Sequence, residues 1–144
     1  MKFTCHADIN VPIHTVIALF ENPINWKEWQ DGFISIEPIG GIPGEVGSKS
    51  KLTYDELELI ETIIRNELPE EFKATYEHKH MVNTMSCKFM KIDPNITQFE
   101  QEIHYTKFNG SLPKLMARLF PGMFKKQVQK WLNLFKTFAE ELNN

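Results

Sequence analysis

The chain has 144 residues and a mass of 16.9 kDa, with 42% apolar and 24% charged residues. That balance is ordinary for a folded globule and excludes a disordered, collagen-like or disulfide-stapled chain. A formal charge of −3 and a pI near 6.0 give no support to a nucleic-acid partner. The outlying figure is aromatic content: 12%, with 11 Phe, 3 Trp and 3 Tyr, beside 6 Met. Bulky rings and flexible thioethers suit an irregular interior, either hollow or solidly filled. Cys5 and Cys87 are the only cysteines and neither sits in a paired-cysteine motif, so structural zinc is not expected. The start, MKFTCHADINVP, lacks the apolar run of a secretory signal. No apolar stretch is long enough to cross a membrane as a helix. Free thiols and a cytoplasmic location are the expectation.

Residues 2–10 alternate, with Phe3, Cys5, Ala7 and Ile9 on one face, as a half-buried strand requires. Pro12 ends that pattern and is suited to the first turn of a helix. Val16, Ile17, Leu19 and Phe20 define one short helix, stopped near Asn22-Pro23. Ile24, Trp26 and Trp29 define a second, between Pro23 and Gln30, with its tryptophans read as structural. Phe33–Ile36 is extended, and Gly40, Gly41, Pro43, Gly44 and Gly47 make a long turn. Residues 48–55 and 56–66 form a hairpin, and strands follow at 71–79, 81–92 and 96–108. The last alternates most cleanly: Phe99, Gln101, Ile103 and Tyr105 against Glu100, Glu102, His104 and Thr106. From Leu112 to Leu142 apolar residues recur at helical period, with a kink or break at Pro121-Gly122. The whole of 1–144 reads as one α+β domain. A curved antiparallel sheet of about seven strands wraps a long C-terminal helix, with two short helices after the first strand.

The segments ADINVPIHTVIALFENPINWKEWQ, GGIPGEVGSKSKLTY and LFPGMFKKQVQKWLNLFKTFAE together resemble the START-type, or SRPBCC, superfamily. Its members share the helix-grip fold of plant pollen allergens. The nearest flavour is the polyketide cyclase/dehydratase-like branch. The resemblance spans nearly the whole chain. It implies a hollow between sheet and helix that takes lipids, sterols, polyketides or other hydrophobic molecules, and it implies no shared catalytic set.

The candidate wall follows from face alternation. Phe72, Tyr76, Phe89, Phe99, Ile103 and Tyr105 come from the strands, and Met116, Leu119, Phe120, Met123 and Phe124 from the helix, with Trp131 further along. Tyr54 and Gln101 join Tyr76 and Tyr105 as groups that would orient a guest in apolar surroundings.

Catalytic signals are sparse. No phosphate-binding glycine pattern or GxSxG occurs. His78 and His80 share parity with no third ligand indicated, so no metal is assigned, and nothing calls for a cofactor. Glu61 is the first acid–base candidate, because Leu57, Leu59 and Ile63 share its parity; Ile60 and Ile64 lie opposite and leave its direction open. An exposed or hydrogen-bonded Glu61 is the plainer reading.

Lys114, Arg118, Lys125, Lys126, Lys130 and Lys136 fall in a stretch, 113–139, that holds no acid. A basic helix face can meet anionic lipid, but a solvated face balanced by the acidic sheet is favoured over peripheral membrane contact. The expected function is binding or transport of a small hydrophobic ligand. The alternatives are a cyclase or dehydratase acting in the same cavity, first through Glu61, His78 or Cys87, and an interaction module using the basic helix.

Overall fold

The structure, a computed structural model, describes residues 1–55, 57–119 and 121–143, the side chain of Pro121 excepted. Strands β1 (Lys2–Ile9), β2 (Phe33–Gly40), β3 (Lys49–Tyr54), β4 (Leu57–Glu67), β5 (Glu71–Glu77), β6 (Met81–Asp93) and β7 (Ile96–Phe108) form one sheet. Its order is β1-β7-β6-β5-β4-β3-β2. Every pairing is antiparallel. Short turns join β2 through β7 as a meander. β1 and β2 lie at opposite edges, and the chain between them carries helix α1 (Ile13–Glu21) and a 3-10 helix (Pro23–Glu28). Asn22 caps the latter by accepting from the Ile24 amide at 3.1 Å.

The long C-terminal segment is two helices, α2 (Ser111–Leu119) and α3 (Pro121–Leu142). Pro121 opens α3 and Gly122 lies within it. The second half of α3 lies on β1: Leu132, Phe135 and Ala139 are fully buried with Cys5, Ile9, Val16, Cys87 and Phe99. Rings fill this end. Phe20 meets Trp29, Phe89, Phe99 and Phe135 at centroid distances between 5.1 and 6.2 Å. Phe89 and Phe99 stack at 4.6 Å.

At the other end of the sheet the floor departs from strict alternation. A bulge between Ile63 and Arg65 on β4 leaves Ile64 outside and returns Asn66 to the concave face. The β2–β3 loop is tied down rather than loose. Asn66 Nδ2 donates to the Gly44 carbonyl at 2.8 Å, and the Gly47 amide donates to the Ile63 carbonyl at 2.8 Å. Gly41 in this loop has φ of +75°, and a Cβ there would stand 2.9 Å from Ser48 Cα, so only glycine fits.

No described helix is long and apolar enough to cross a membrane. Of the basic residues on α3, Lys130 pairs with Asp31 at 2.7 Å and Lys136 with Glu140 at 2.6 Å.

The aromatic end should behave as the structural anchor. Phe135→Ala deletes a fully buried ring packed on Phe20, Trp29 and Phe99, and denaturant unfolding should show a loss of about 3–5 kcal/mol. Leu112→Ala on α2, where the side chain is 66% exposed, should stay within about 0.5 kcal/mol of the parent. Comparable losses from both would place the anchor elsewhere.

Candidate functional site

Beside the aromatic end, sheet and helix part to leave a cavity of about 670 Å³. That volume suits a drug-sized or lipid-sized molecule. Its floor is the concave face of β3 to β7, and its ceiling is Gln127, Val128 and Trp131 of α3. Trp26, Trp29 and Gln30 close one side, and Pro38, Pro43 and Gly44 form the rim opposite the helix.

The register arranges the floor in rows across the strands. Ser50 faces Glu61, Glu61 faces Tyr76, Tyr76 faces Asn83, and Asn83 faces Tyr105. All five line the cavity, so one polar row crosses five strands. The next inward row is apolar: Ile63 faces Ala74, Ala74 faces Met85, and Met85 faces Ile103. A third is mixed, with Asn66, Phe72, Cys87 and Gln101 in sequence.

Two hydrogen bonds fix the polar groups. The Tyr76 hydroxyl donates to Glu61 Oε2 at 2.7 Å, and the Tyr54 hydroxyl donates to Gln30 Oε1 at 2.6 Å. Gln101 Nε2 points at sulfur, 2.7 Å from Met85 Sδ and 3.3 Å from Cys87 Sγ. Trp26 Nε1 donates to the Phe20 carbonyl at 2.9 Å. The indole nitrogens of Trp29 and Trp131 are buried with no partner among the described residues.

Ionisation follows burial. Desolvation pushes the Glu61 carboxyl above its ordinary value of 4.5, and the Tyr76 hydroxyl, by stabilising the carboxylate, partly opposes that. Desolvation, reinforced by the Glu61 charge, raises the Tyr54 and Tyr76 phenols well above 10. Burial raises Tyr105 to about 12. Cys87 is pushed to about 12, chiefly by burial, so it is a neutral thiol at physiological pH and no nucleophile. His78 is lowered, first by desolvation and then by His80 and Lys79, and so favours the neutral ring. Among the described residues no group of three or more histidine, cysteine or acidic side chains is placed to hold a metal ion.

The expected wall divides. Tyr54, Phe72, Tyr76, Gln101, Ile103 and Tyr105 all line the cavity. Phe89 and Phe99 do not: both face inward, but they sit where α1 and α3 close down, and their rings pack against Phe20 and Phe135. Met116, Leu119, Met123 and Phe124 are also outside the wall: Leu119 and Met123 are 57% and 47% exposed, and the Phe124 ring packs on Tyr105 and Phe108. Phe120 lies outside the described residues.

Trp131 lines the cavity as its place on the helix stripe implies; Trp26, Trp29, Leu52, Leu59 and Met85 line it too without having been assigned to it. Glu61 and His78 face the hollow, whereas Cys87 is packed without exposure. Parity on β4 was the available signal for Glu61, and the apolar Ile60 and Ile64 blurred it.

A carboxyl whose proton affinity rises on folding destabilises the native state as pH climbs past its unfolded value. Wild type should therefore lose stability relative to Glu61→Gln from about pH 4.5 upward, levelling off above the folded pKa. Glu71, lowered by hydrogen bonds from Ser86 and Arg65, should show the opposite sign: wild type gains on Glu71→Gln over the rise towards pH 4.5 and the gain persists above it. Chemical denaturation across pH with both variants checks the pair. Parallel curves for wild type and Glu61→Gln would contradict the buried, desolvated carboxyl.

No family model matches the chain, and no curated protein matches it in sequence. Solved structures do match in shape. The Zhui aromatase/cyclase from Streptomyces sp. R1128 superposes with a TM-score of 0.82 at 9% identity, over 100% of this chain and 96% of that one. A Thermus thermophilus protein, TTHA0849, gives 0.78 at 11% identity over 100% of both chains. Ara h 8.0201 gives 0.74 at 15% identity, over 100% of this chain and 99% of that one. A seven-stranded antiparallel sheet, two short helices after its first strand and a long C-terminal helix, superposing over the full chain on these structures, make the fold the helix-grip fold.

Proposed function

We propose that this protein binds a small hydrophobic molecule between the sheet and α3. The observation that carries the reading is the cavity itself: about 670 Å³ walled mainly by aromatic and aliphatic side chains, with a few fixed polar groups. Apolar area supplies affinity, and Glu61, Tyr76, Tyr54 and Gln101 supply orientation. Tyr54, Phe72, Tyr76, Gln101, Ile103 and Tyr105 are the contact residues in this proposal, joined by Trp26, Trp131 and Leu59. The shape similarity to an aromatase/cyclase and to Ara h 8.0201 is coarse support for a hydrophobic guest and names no ligand.

A second reading has one observation behind it. Glu61 is a buried carboxyl hydrogen-bonded to a phenol inside the hollow, a pairing suited to moving a proton on a bound guest. It adds chemistry to the binding reading without replacing it. Turnover of any bound compound that Glu61→Gln abolishes while binding persists would establish it.

Filling the space tests the primary reading. Leu59 is half-buried on the floor, and Leu59→Trp should occupy part of the cavity. Titration with the neutral apolar fluorophore N-phenyl-1-naphthylamine should show at least tenfold weaker binding, with the melting temperature held or raised. Native mass spectrometry of the parent should show a co-purifying apolar species that the variant lacks. Undiminished dye affinity in Leu59→Trp, with no co-purifying species in either protein, would remove the reading.

A further inference from the structure

Glu61 stands in the polar row between Ser50 and Tyr76 and is only 6% exposed. Its Oε2 accepts from Tyr76, while Oε1 has no hydrogen-bond partner among the described residues. Two phenol rings stand close: Tyr76 makes that hydrogen bond, and Tyr54 feels the carboxylate charge. Trp131 stacks on Tyr54 at a centroid distance of 5.9 Å with 21° between planes. The carboxyl thus opens into a ring-lined chamber.

The charge of the lining is one-sided. Its acidic members are Glu61, deep on the floor, and Glu21, exposed at the mouth. Among the described lining residues there is no lysine or arginine, and His78 favours its neutral form. A guest bearing a carboxylate would bury a second negative charge beside Glu61 with nothing to pair it, which is costly in an apolar site. A neutral guest leaves the Glu61 charge desolvated. A guest bearing a cationic nitrogen relieves it, and aromatic faces attract the same cation. Glu21 at the entrance adds a field of the same sign.

Resting on the binding reading above, we propose that the ligand is a hydrophobic amine whose protonated nitrogen docks on Glu61 Oε1 within the Tyr54–Tyr76–Trp131 cluster.

The test uses the full chain and three probes with one alkyl chain and different heads: decylamine, decanol and decanoate. Trp26, Trp29 and Trp131 all line the cavity and report binding by intrinsic fluorescence. Decylamine is expected to bind at least tenfold more tightly than decanol, and decanoate more weakly than either. Glu61→Gln, which keeps shape and can still accept from Tyr76, should reduce the decylamine-to-decanol ratio to within twofold of unity. Decanoate binding as tightly as decylamine would overturn the assignment, as would a ratio unmoved by Glu61→Gln. Should that variant fail to fold, the head-group order in the parent decides alone. Decanol binding without amine preference sinks this inference and leaves the hydrophobic site standing. Silence from all three probes and from neutral N-phenyl-1-naphthylamine sinks both.

Discussion

The contact between Phe135 of α3 and Phe99 of β7, with centroids 5.6 Å apart, holds the architecture in place. It brings the second half of the helix flush onto β1, β6 and β7, with Phe20 and Trp29 wedged alongside. Once that end is shut, sheet curvature does the rest. Away from that contact the sheet meets the helix only in places, as where Tyr54 of β3 stacks on Trp131, because twisted antiparallel sheets of this width do not lie flat. The hollow is the geometric consequence of anchoring a straight rod at one end of a curved surface. Dense packing and open space are therefore not competing descriptions of the interior, since each occupies its own end.

The polar row across the floor has a similarly simple origin. In an antiparallel sheet, directly opposed residues share a face, so a row inherits whatever residue each strand carries at that level. Here five strands carry Ser50, Glu61, Tyr76, Asn83 and Tyr105 at one level. The levels beside it carry aliphatic and sulfur-bearing side chains. A floor banded in this way favours a guest with one polar feature and two greasy flanks over a uniformly apolar one.

How far the sequence reached depended on the kind of information each residue carried. On β7 the alternation is uninterrupted, and Gln101, Ile103 and Tyr105 could be assigned to the concave face directly. Parity names a face but not a position along the strand. Phe89 and Phe99 are therefore inward yet belong to the closed end, a distinction that only the seat of Phe135 decides. On β4, apolar residues on both faces hid the phase, and the bulge after Ile63 has no glycine or proline to announce it. The C-terminal stripe misled for a related reason. Its helical period shows which residues share a stripe but not which part of the stripe the sheet covers, and Leu119 and Met123 lie on the exposed part. Trp26 and Trp29 were read as structural and also line the cavity. Trp26 is pinned by its bond to the Phe20 carbonyl and still offers a ring to the hollow.

An open apolar chamber carries a thermodynamic cost that bears on what the molecule is for. Lining atoms around an empty space forgo the dispersion contacts that a packed core would give them. The wall resists collapse here through specific means. Tyr54 is held by Gln30, Tyr76 by Glu61, and the rim loop by Asn66 and the Ile63 carbonyl. Those bonds keep rings upright around a void that a repacked core would fill. A guest restores the missing contacts and binds only the folded form, so it raises stability by mass action. The buried carboxylate sharpens the same logic. Glu61 is destabilising while unpaired, and a cation that pairs it removes an electrostatic penalty in the step that fills the cavity. In the proposed complex shape and charge therefore act together, because one ligand with a greasy body and a positive head would meet both the apolar wall and Glu61.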